Sequence, residues 1–384
     1  MTPRVPFAER GGALRGLLDL ATGCYPAFLF GGALGRVLPV FHVHDVTREW
    51  LEPRLQYLAE NGYRTVTCDA IARFAIDGTS VGPRAVALTF DDGWASAWRV
   101  ATPLLKQYQL TAILFAIPGR IQDAEHTRSM VGPTHGSAPT TIGTTHEPPT
   151  KVVGADPRVR PSGNEPFVTW PELREMQASG VWDIQSHTRS HAMIFSDDEI
   201  VDFVTPAFAR EPLLERPLFV KADALGMPLY PRRSRMSDAR QFLADRSAAE
   251  QCLAHVARHG GAPFFDRPGW RSELEPIARQ APGQFESDEA RASSIRQELA
   301  EGRAMLNEKL GVNTVRHVAL PWGIAGDTAR RALAETGHDS AFAERPLRRR
   351  GVHAGDDRYG LMRLNAKFLT CLPGRGRRWF FTTV

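Results

Sequence analysis

Short apolar runs alternate along the chain with longer stretches in which apolar residues recur every three or four positions. The first pattern is typical of buried strands and the second of amphipathic helices. Because parallel strands must be joined by crossover segments, this alternation predicts an α/β fold with a parallel sheet. The predicted strands are residues 63–67, 85–90, 111–116, 181–186, 315–320 and 339–343.

Several predicted helices have recognisable ends. Residues 169–172 (Thr-Trp-Pro-Glu) form a capping box with proline in the first turn, and Gly180 stops the helix that follows. Gly311 ends another helix in the same way. The predicted helices that matter below are residues 98–108, 169–180, 239–259 and 289–311.

Length and composition fit one large domain with insertions. At 384 residues and 42% apolar content the chain can bury a full core, and a barrel of roughly 250 residues leaves room for more. Two stretches interrupt the alternation: a Pro-, Gly-, Thr- and Ser-rich loop at 129–166 and an insertion with a helix at 196–288. We therefore predict an N-terminal segment, 1–36, and a domain, 37–384, that contains both interruptions.

A pair of carboxylates follows the second predicted strand. Asp91 and Asp92 come directly after residues 85–90 and are followed by Gly93. Adjacent strand residues point to opposite faces, so both acids can serve one site only where the strand ends and the chain turns. Gly93 predicts that turn at the carboxyl end of a strand, which is where α/β folds place their chemistry.

Two histidines follow another strand. His187 and His191 come after residues 181–186, with the i, i+4 spacing that places two side chains on one face of a helix. Two imidazoles and one carboxylate would leave coordination positions open on a metal ion, as a catalytic site requires. Either motif alone is commonly a surface feature, but their matching positions after two strands predict one shared site.

These segments resemble the polysaccharide deacetylases, carbohydrate esterase family 4. Residues 89–93 (Thr-Phe-Asp-Asp-Gly) and 187–191 (His-Thr-Arg-Ser-His) look like the first two family motifs, and residues 318–323 are similar to a strand that ends in Pro-Trp-Gly. The family's opening strand, which ends in a histidine, resembles residues 39–46 with His44. The resemblance implies a distorted (β/α) barrel of the polysaccharide deacetylase type, with the long loop and helical insertion as additions.

Roles for individual residues follow from the resemblance. Asp92, His187 and His191 would hold a divalent metal ion, zinc in the first place, with cobalt, manganese, nickel or iron as alternatives. Asp91 would be the general base, since a bound cation lowers the pKa of its water and a nearby carboxylate can take the proton. The residues expected to contact substrate are His44, Trp94, Pro321 and Trp322, although Pro321 and Trp322 could equally be ordinary packing after a strand.

One part of the family pattern is absent. The family usually has a histidine after an apolar strand near its C-terminal end, where it acts as general acid, but residues 361–369 contain none. His44 could face the barrel mouth and replace it, or water could protonate the leaving amine. The sequence does not decide which group acts as the general acid.

Charge and cysteine usage limit the kinds of binding partner and the cell compartment that we expect for this protein. The net charge is +4, yet no nucleic-acid recognition motif accompanies the arginine clusters at 345–350 and 375–378, so we expect no nucleic-acid partner. The four cysteines are scattered along the chain and contain no Cys-x-x-Cys pair. No uncharged run approaches the ~20 residues that a membrane-spanning helix needs. We expect a cytoplasmic protein, with possible peripheral contact at the inner face of the membrane through an amphipathic segment at 14–20.

Three functions are compatible with the sequence. The first is metal-dependent removal of an N-acetyl, or less readily an O-acetyl, group from an amino-sugar glycan or its precursor, including a lipid-linked saccharide or an exopolysaccharide. The second is a deformylase or amidase that acts on a lipid-linked sugar or a small cyclic amide. The third is a barrel that binds glycan without catalysis, which the spare carboxylate of Asp91 argues against.

Overall fold

The computed structural model describes residues 18–123 and 166–383. The predicted loop at 129–166 therefore lies outside the described residues except for its last position, as does most of the amphipathic segment at 14–20. In the described part of the chain, no helix combines the length and the apolar character that crossing a membrane requires.

Strands and helices alternate through the barrel part of the chain, as the apolar pattern predicts. The strands are β1 (Val40–Val43), β2 (Arg64–Thr65), β3 (Ala85–Asp92), β4 (Ala112–Ala116), β5 (Trp182–Ser186), β6 (Met193–Phe195), β7 (Asp202–Phe203), β8 (Pro228–Leu229), β9 (Arg232–Ser234), β10 (Phe242–Leu243), β11 (Gln284–Phe285), β12 (His317–Ala319), β13 (Ser340–Phe342) and β14 (Leu364–Asn365). The helices are α1 (Arg48–Glu60), α2 (Cys68–Asp77), α3 (Thr102–Gln107), α4 (Trp170–Ala178), α5 (Arg246–Arg258), α6 (Trp270–Ala278), α7 (Asp288–Leu310), α8 (Asp327–Glu335) and α9 (Phe380–Thr383).

Eight strands form one parallel sheet in the order β13-β12-β5-β4-β3-β1-β14, with β2 paired to β3. A bridge between Phe342 and Leu361 joins the β13 edge to the segment that leads into β14. The sheet thus curves into the expected distorted barrel. Because the strands are parallel, their carboxyl ends share one end of the barrel, here called the carboxyl rim, and their amino ends share the opposite amino rim.

Local signals explain why several helices begin and end where they do. Thr169 and Glu172 form the predicted capping box: the Glu172 carboxylate accepts from the Thr169 backbone N–H at 2.8 Å, and the Thr169 hydroxyl accepts from that of Glu172 at 3.4 Å. Gly311 ends α7 in a left-handed conformation with φ 67°. These predictions are confirmed because both signals depend only on near neighbours.

Two helix predictions need correction. The helix expected at 239–259 begins only at Arg246, where the Asp245 side chain accepts from the Ala248 backbone at 2.9 Å. The residues before it form β10, which pairs with β11 instead. The helix expected at 98–108 opens with a wide π turn over Ala97–Ala101 before α3. In the first case strand pairing overrides the local apolar spacing.

The segment between β5 and α7 has an apolar cluster of its own. Its buried residues include Phe195, Phe203, Tyr230 and Phe264, which pack on one another and not on the barrel core. A buried ion pair between Arg235 and Glu286, with three hydrogen bonds of 2.8–3.0 Å, lies at the end of this segment. Residues of the predicted insertion at 196–288 thus build a small subassembly beside the barrel.

Candidate metal site at the carboxyl rim

Strand β3 delivers two adjacent carboxylates to the carboxyl rim because its backbone turns at Asp92. Asp92 itself has φ 73°, which is uncommon for a residue with a side chain, and Gly93 follows with φ 79°. The turn therefore starts one residue earlier than Gly93 alone predicts. Asp91 and Asp92 are both buried and both interact with His187, so the two side chains serve one site.

Asp92, His187 and His191 form a buried set of three metal-ligand groups. Oδ1 of Asp92 lies 3.3 Å from Nε2 of His187 and 3.8 Å from Nε2 of His191. Ligand atoms around a tetrahedral zinc ion with bonds of about 2.1 Å are about 3.4 Å apart, so these spacings suit such an ion. Asp92 Oδ1 is buried and has no hydrogen-bond donor within the described ranges. A buried orphan acceptor facing two imidazoles fits a cation site.

The two histidines lie on a loop and not on a helix, which corrects the expected helical face. Thr188 and His191 have φ values of 64° and 55°, so the chain bends twice between the imidazoles. The loop is anchored to α7: Ser190 donates to the Glu298 carboxylate from its backbone at 3.0 Å and from its hydroxyl at 2.6 Å. The imidazoles converge because α7 holds the loop in this bent form.

Gly302 allows α7 to approach the histidine loop. A Cβ at this position would lie 2.7 Å from the backbone nitrogen of Arg189 and 2.8 Å from the carbonyl carbon of Thr188. Glycine inside a helix is normally unfavourable by roughly 0.5–1 kcal/mol relative to alanine. Here the missing side chain is what lets helix and loop meet.

Further contacts orient the ligand groups. The carbonyl oxygen of Ala319, at the end of β12, lies 2.7 Å from Nδ1 of His187, which places the proton on that nitrogen and leaves Nε2 free to bind a cation. Trp94 donates from its indole nitrogen to Oδ2 of Asp92 at 2.8 Å and stacks on Phe167 at 4.8 Å. Trp94, predicted to contact substrate, thus positions a ligand carboxylate.

The segment Pro321–Trp322 brings one aromatic ring against the site. The Trp322 ring lies edge-on to His191 with 4.1 Å between ring centroids, and its backbone has φ 54°. Pro321 is buried and Trp322 is partly exposed. The indole therefore covers one side of the His191 imidazole and keeps some surface accessible from the rim.

Asp91 is held by a residue that the sequence analysis did not single out. Arg363 donates to Oδ1 of Asp91 at 2.7 Å and to Oδ2 at 2.8 Å, and also to the Thr89 hydroxyl at 3.0 Å. Such a two-point contact fixes the plane of the carboxylate as well as its charge. The signal available in the sequence is an arginine within the mostly apolar run 361–369, which contains one other charged residue, Lys367, and no histidine.

The electrostatics of the site keep both carboxylates ionised. Burial would raise the pKa of Asp91, but the charges of Arg363 and His187 outweigh it and hold the pKa well below its usual range. Burial of Asp92 is likewise outweighed, chiefly by its close contact with His187, and its pKa falls to about 2. Burial lowers the pKa of His191 to about 3, so this imidazole is neutral at pH 7, the form that binds metal ions.

His44 lies beside Asp91 at the open side of the site. Its Nε2 is 3.9 Å from Oδ2 of Asp91, and its side chain is 53% exposed. His42 packs edge-on against it with ring centroids 5.8 Å apart. Burial, with the charge of Arg363, lowers the pKa of His42 to about 3. His44 is therefore the imidazole of this pair that solvent and substrate can reach.

A family model described as polysaccharide deacetylase matches residues 78–214, a region that contains β3, β4, β5 and both chemical motifs. This part of the chain is thus similar to the polysaccharide deacetylases. The Bacillus subtilis protein YxkH, described provisionally as a polysaccharide deacetylase, is 27% identical over 97 residues, which cover 23% of this chain and 35% of YxkH. The chain thus matches about a third of the length of this relative.

Two solved structures are similar to this chain over most of its length. The deacetylase domain of BpsB from Bordetella bronchiseptica has a TM-score of 0.50 and 18% identity, over 87% of this chain and 97% of the domain. IcaB from Ammonifex degensii has a TM-score of 0.47 and 18% identity, over 88% and 95% of the two chains. At this identity the BpsB likeness supports the fold and nothing finer.

Proposed function

We propose that this protein, which matches the polysaccharide deacetylases over residues 78–214, is a metal-dependent hydrolase that removes N-acetyl groups from an amino-sugar glycan or its precursor. The observation that carries the proposal is the orphan Oδ1 of Asp92 facing two imidazoles, next to a separately tethered carboxylate. A glycan-binding barrel would have no use for both features.

Asp92, His187 and His191 would hold the divalent ion, with zinc as the leading candidate. Two nitrogen ligands and one oxygen ligand suit zinc, and cobalt, nickel, manganese or iron are alternatives. When bound, the ion would polarise the scissile carbonyl and lower the pKa of a water molecule. Burial of all three side chains excludes bulk solvent from the ligand set.

Asp91 has the position and ionisation of a general base. Its carboxylate is ionised at neutral pH, it lies beside the ligand set, and Arg363 keeps it from becoming a further ligand by holding both of its oxygens. A base must reach the proton that it removes and must be unprotonated at the working pH. Arg363 supplies orientation and charge, so we assign it as a positioning residue.

His44 is our candidate for the acid that protonates the leaving amine. It takes the place of the histidine that residues 361–369 lack, because it is the exposed imidazole next to Asp91. Replacement by Gln should lower kcat by about 10²–10³ with little change in KM or metal content, in line with the usual contribution of acid–base catalysis. An unchanged kcat in this variant would indicate that water, and not His44, protonates the leaving amine.

The decisive experiment measures acetate release from N-acetylglucosamine oligomers by purified protein. We expect release that stops with chelator, returns with added Zn²⁺ or Co²⁺, and is lost in Asp91→Asn while that variant still binds metal. N-formyl and O-acetyl analogues in parallel distinguish the deformylase and O-deacetylase alternatives. Metal binding with no release from any of these substrates would contradict the proposal.

A further inference from the structure

A second set of metal-ligand side chains lies outside the barrel, where α5 ends and α6 begins. His255 lies in the last turn of α5, His259 is the residue that caps the end of this helix, and Glu273 projects from the first turn of α6. One ligand atom of each lies within 4.8 Å of the other two. Nε2 of His255 and Oε2 of Glu273 are 3.1 Å apart, close to the roughly 3.4 Å between neighbouring ligands of tetrahedral zinc.

Contacts around this set orient its members. Arg267 donates to Oε1 of Glu273 at 2.7 Å, which leaves Oε2 turned toward His255. The carbonyl oxygen of His255 lies 2.8 Å from Nδ1 of His259, so that nitrogen carries the proton and Nε2 keeps its lone pair. Partners of this kind fix the tautomer and orientation of ligands in known metal sites.

The surroundings favour a cation that keeps contact with water. Phe264 is buried and packs against both imidazoles, with ring centroids 5.6 Å from His255 and 6.0 Å from His259. On the other side His259 is exposed to solvent. The three side chains thus have an aromatic ring on one side and solvent on the other, so water can occupy a coordination position that they leave free.

We propose that His255, His259 and Glu273 form a second divalent transition-metal site, separate from the carboxyl rim. The two imidazoles and one carboxylate suit Zn²⁺, Ni²⁺ or Co²⁺ better than Ca²⁺ or Mg²⁺, which take oxygen ligands. The ligands come from two helices joined by a turn over Ala262–Asp266, with Gly260 and Gly261 at φ 97° and 72°. A bound ion would therefore clamp the helix pair α5–α6.

The proposal does not depend on the function proposed for the barrel. All three ligands belong to the segment between β5 and α7, whose apolar cluster is separate from the barrel core. The competing explanation is an ordinary ion pair between a protonated His255 and Glu273, which would need no metal ion. Metal stoichiometry distinguishes the two.

The test compares the full-length chain with His259→Gln after removal of metal and titration with Co²⁺. His259 is exposed, so the substitution should leave the fold intact. We expect each wild-type chain to bind one Co²⁺ ion more than each variant chain. The visible spectrum of the wild type should then contain an additional absorption from Co²⁺ bound by nitrogen and oxygen ligands. Equal stoichiometry in the two proteins would overturn the proposal, whether or not either binds an ion at the carboxyl rim.

Two further variants sharpen the result. Arg267→Gln should weaken Co²⁺ binding at this site about tenfold, because residues that orient a ligand typically contribute that much. Arg258→Lys, an exposed change on the same turn, should leave it unchanged. In addition, Zn²⁺ should slow tryptic cleavage between α5 and α6 in the wild type but not in His259→Gln. Equal protection in the two proteins would contradict the proposal that a bound ion holds α5 and α6 together.

Discussion

The two rims of the barrel carry similar side chains but differ in how completely these are hydrogen-bonded. At the amino rim, His317 is bonded at 2.8 Å to both Ser340 and Asp69, and Arg316 contacts both oxygens of Asp69. At the carboxyl rim, Oδ1 of Asp92 has no donor and Nδ1 of His191 has no partner in the described part of the chain. Both rims contain histidine and aspartate within metal-binding distance, but at the amino rim both His317 nitrogens and both Asp69 oxygens have partners.

This difference indicates which rim is built for binding. Buried polar groups are nearly always paired, so a group left unpaired next to other ligand atoms is available for an outside partner. Asp69 is already neutralised by Arg316 and His317, and a cation there would have to displace an arginine. We therefore interpret the amino-rim cluster as a structural network that ties α2, β12 and β13 together.

The largest contrast should appear on replacing one aspartate at each rim. Asp92→Asn should lower metal affinity at least about 100-fold and abolish acetate release, because it removes a ligand charge from a buried site. Asp69→Asn should leave metal content and activity unchanged. Titration with Zn²⁺ and the acetate assay check both, and loss of metal from Asp69→Asn would reverse our assignment of the rims.

Next in size is the effect of Arg363, which separates the base from the metal ligands. Arg363→Gln should reduce kcat about 10²-fold without loss of metal, since it misorients Asp91 but touches no ligand. Burial would then dominate the pKa of Asp91, which should rise and move the acid limb of the pH–activity profile to higher pH. An unmoved acid limb would mean that Arg363 acts only as a structural contact.

At the amino rim we expect a substitution to lower the stability of the protein and not its catalytic activity. His317→Ala removes the partner of the buried Ser340 hydroxyl and one of the partners of the half-exposed Asp69, so the free energy of unfolding should fall by about 1–3 kcal/mol. The kcat of the folded fraction should stay within about twofold of the wild type. Urea unfolding and the acetate assay at low temperature measure the two quantities, and a selective loss of kcat would argue for a functional amino rim.

The smallest effect concerns pH and involves His338, which is buried next to this network. Burial, with the charges of Arg303 and His317, lowers its pKa from 6.5 to about 3. Between those values the unfolded chain binds the proton and the folded chain does not, so stability is present above pH 6.5 and falls as the pH drops. From pH 7 to 5 this group should cost about 2 kcal/mol.

His338→Gln checks that assignment by urea unfolding at the two pH values. The variant should lose about 2 kcal/mol less than the wild type over this interval. An identical pH dependence in His338→Gln and wild type would show that other groups, such as the buried His42, control acid unfolding.

Much of the fold and the motif residues could be predicted because their signals are local. Strand β3, its two aspartates and the capping box of α4 each occupy a few consecutive positions. The helical face expected for His187 and His191 was wrong, since contacts with α7 impose the left-handed bends of that loop. Spacing alone does not report a contact made by residues about a hundred positions later in the chain.

The sequence by itself determined the alternation of strands and helices, the resemblance to the polysaccharide deacetylases and the types of side chain that follow the strands. Only the tertiary structure decided which of them meet: Arg363 contacts Asp91 from 272 positions away because β14 lies beside β1. It also decided that His317 is paired while Asp92 is not. Hydrogen-bond satisfaction depends on the neighbours that folding brings together, and that property distinguishes a structural cluster from a site.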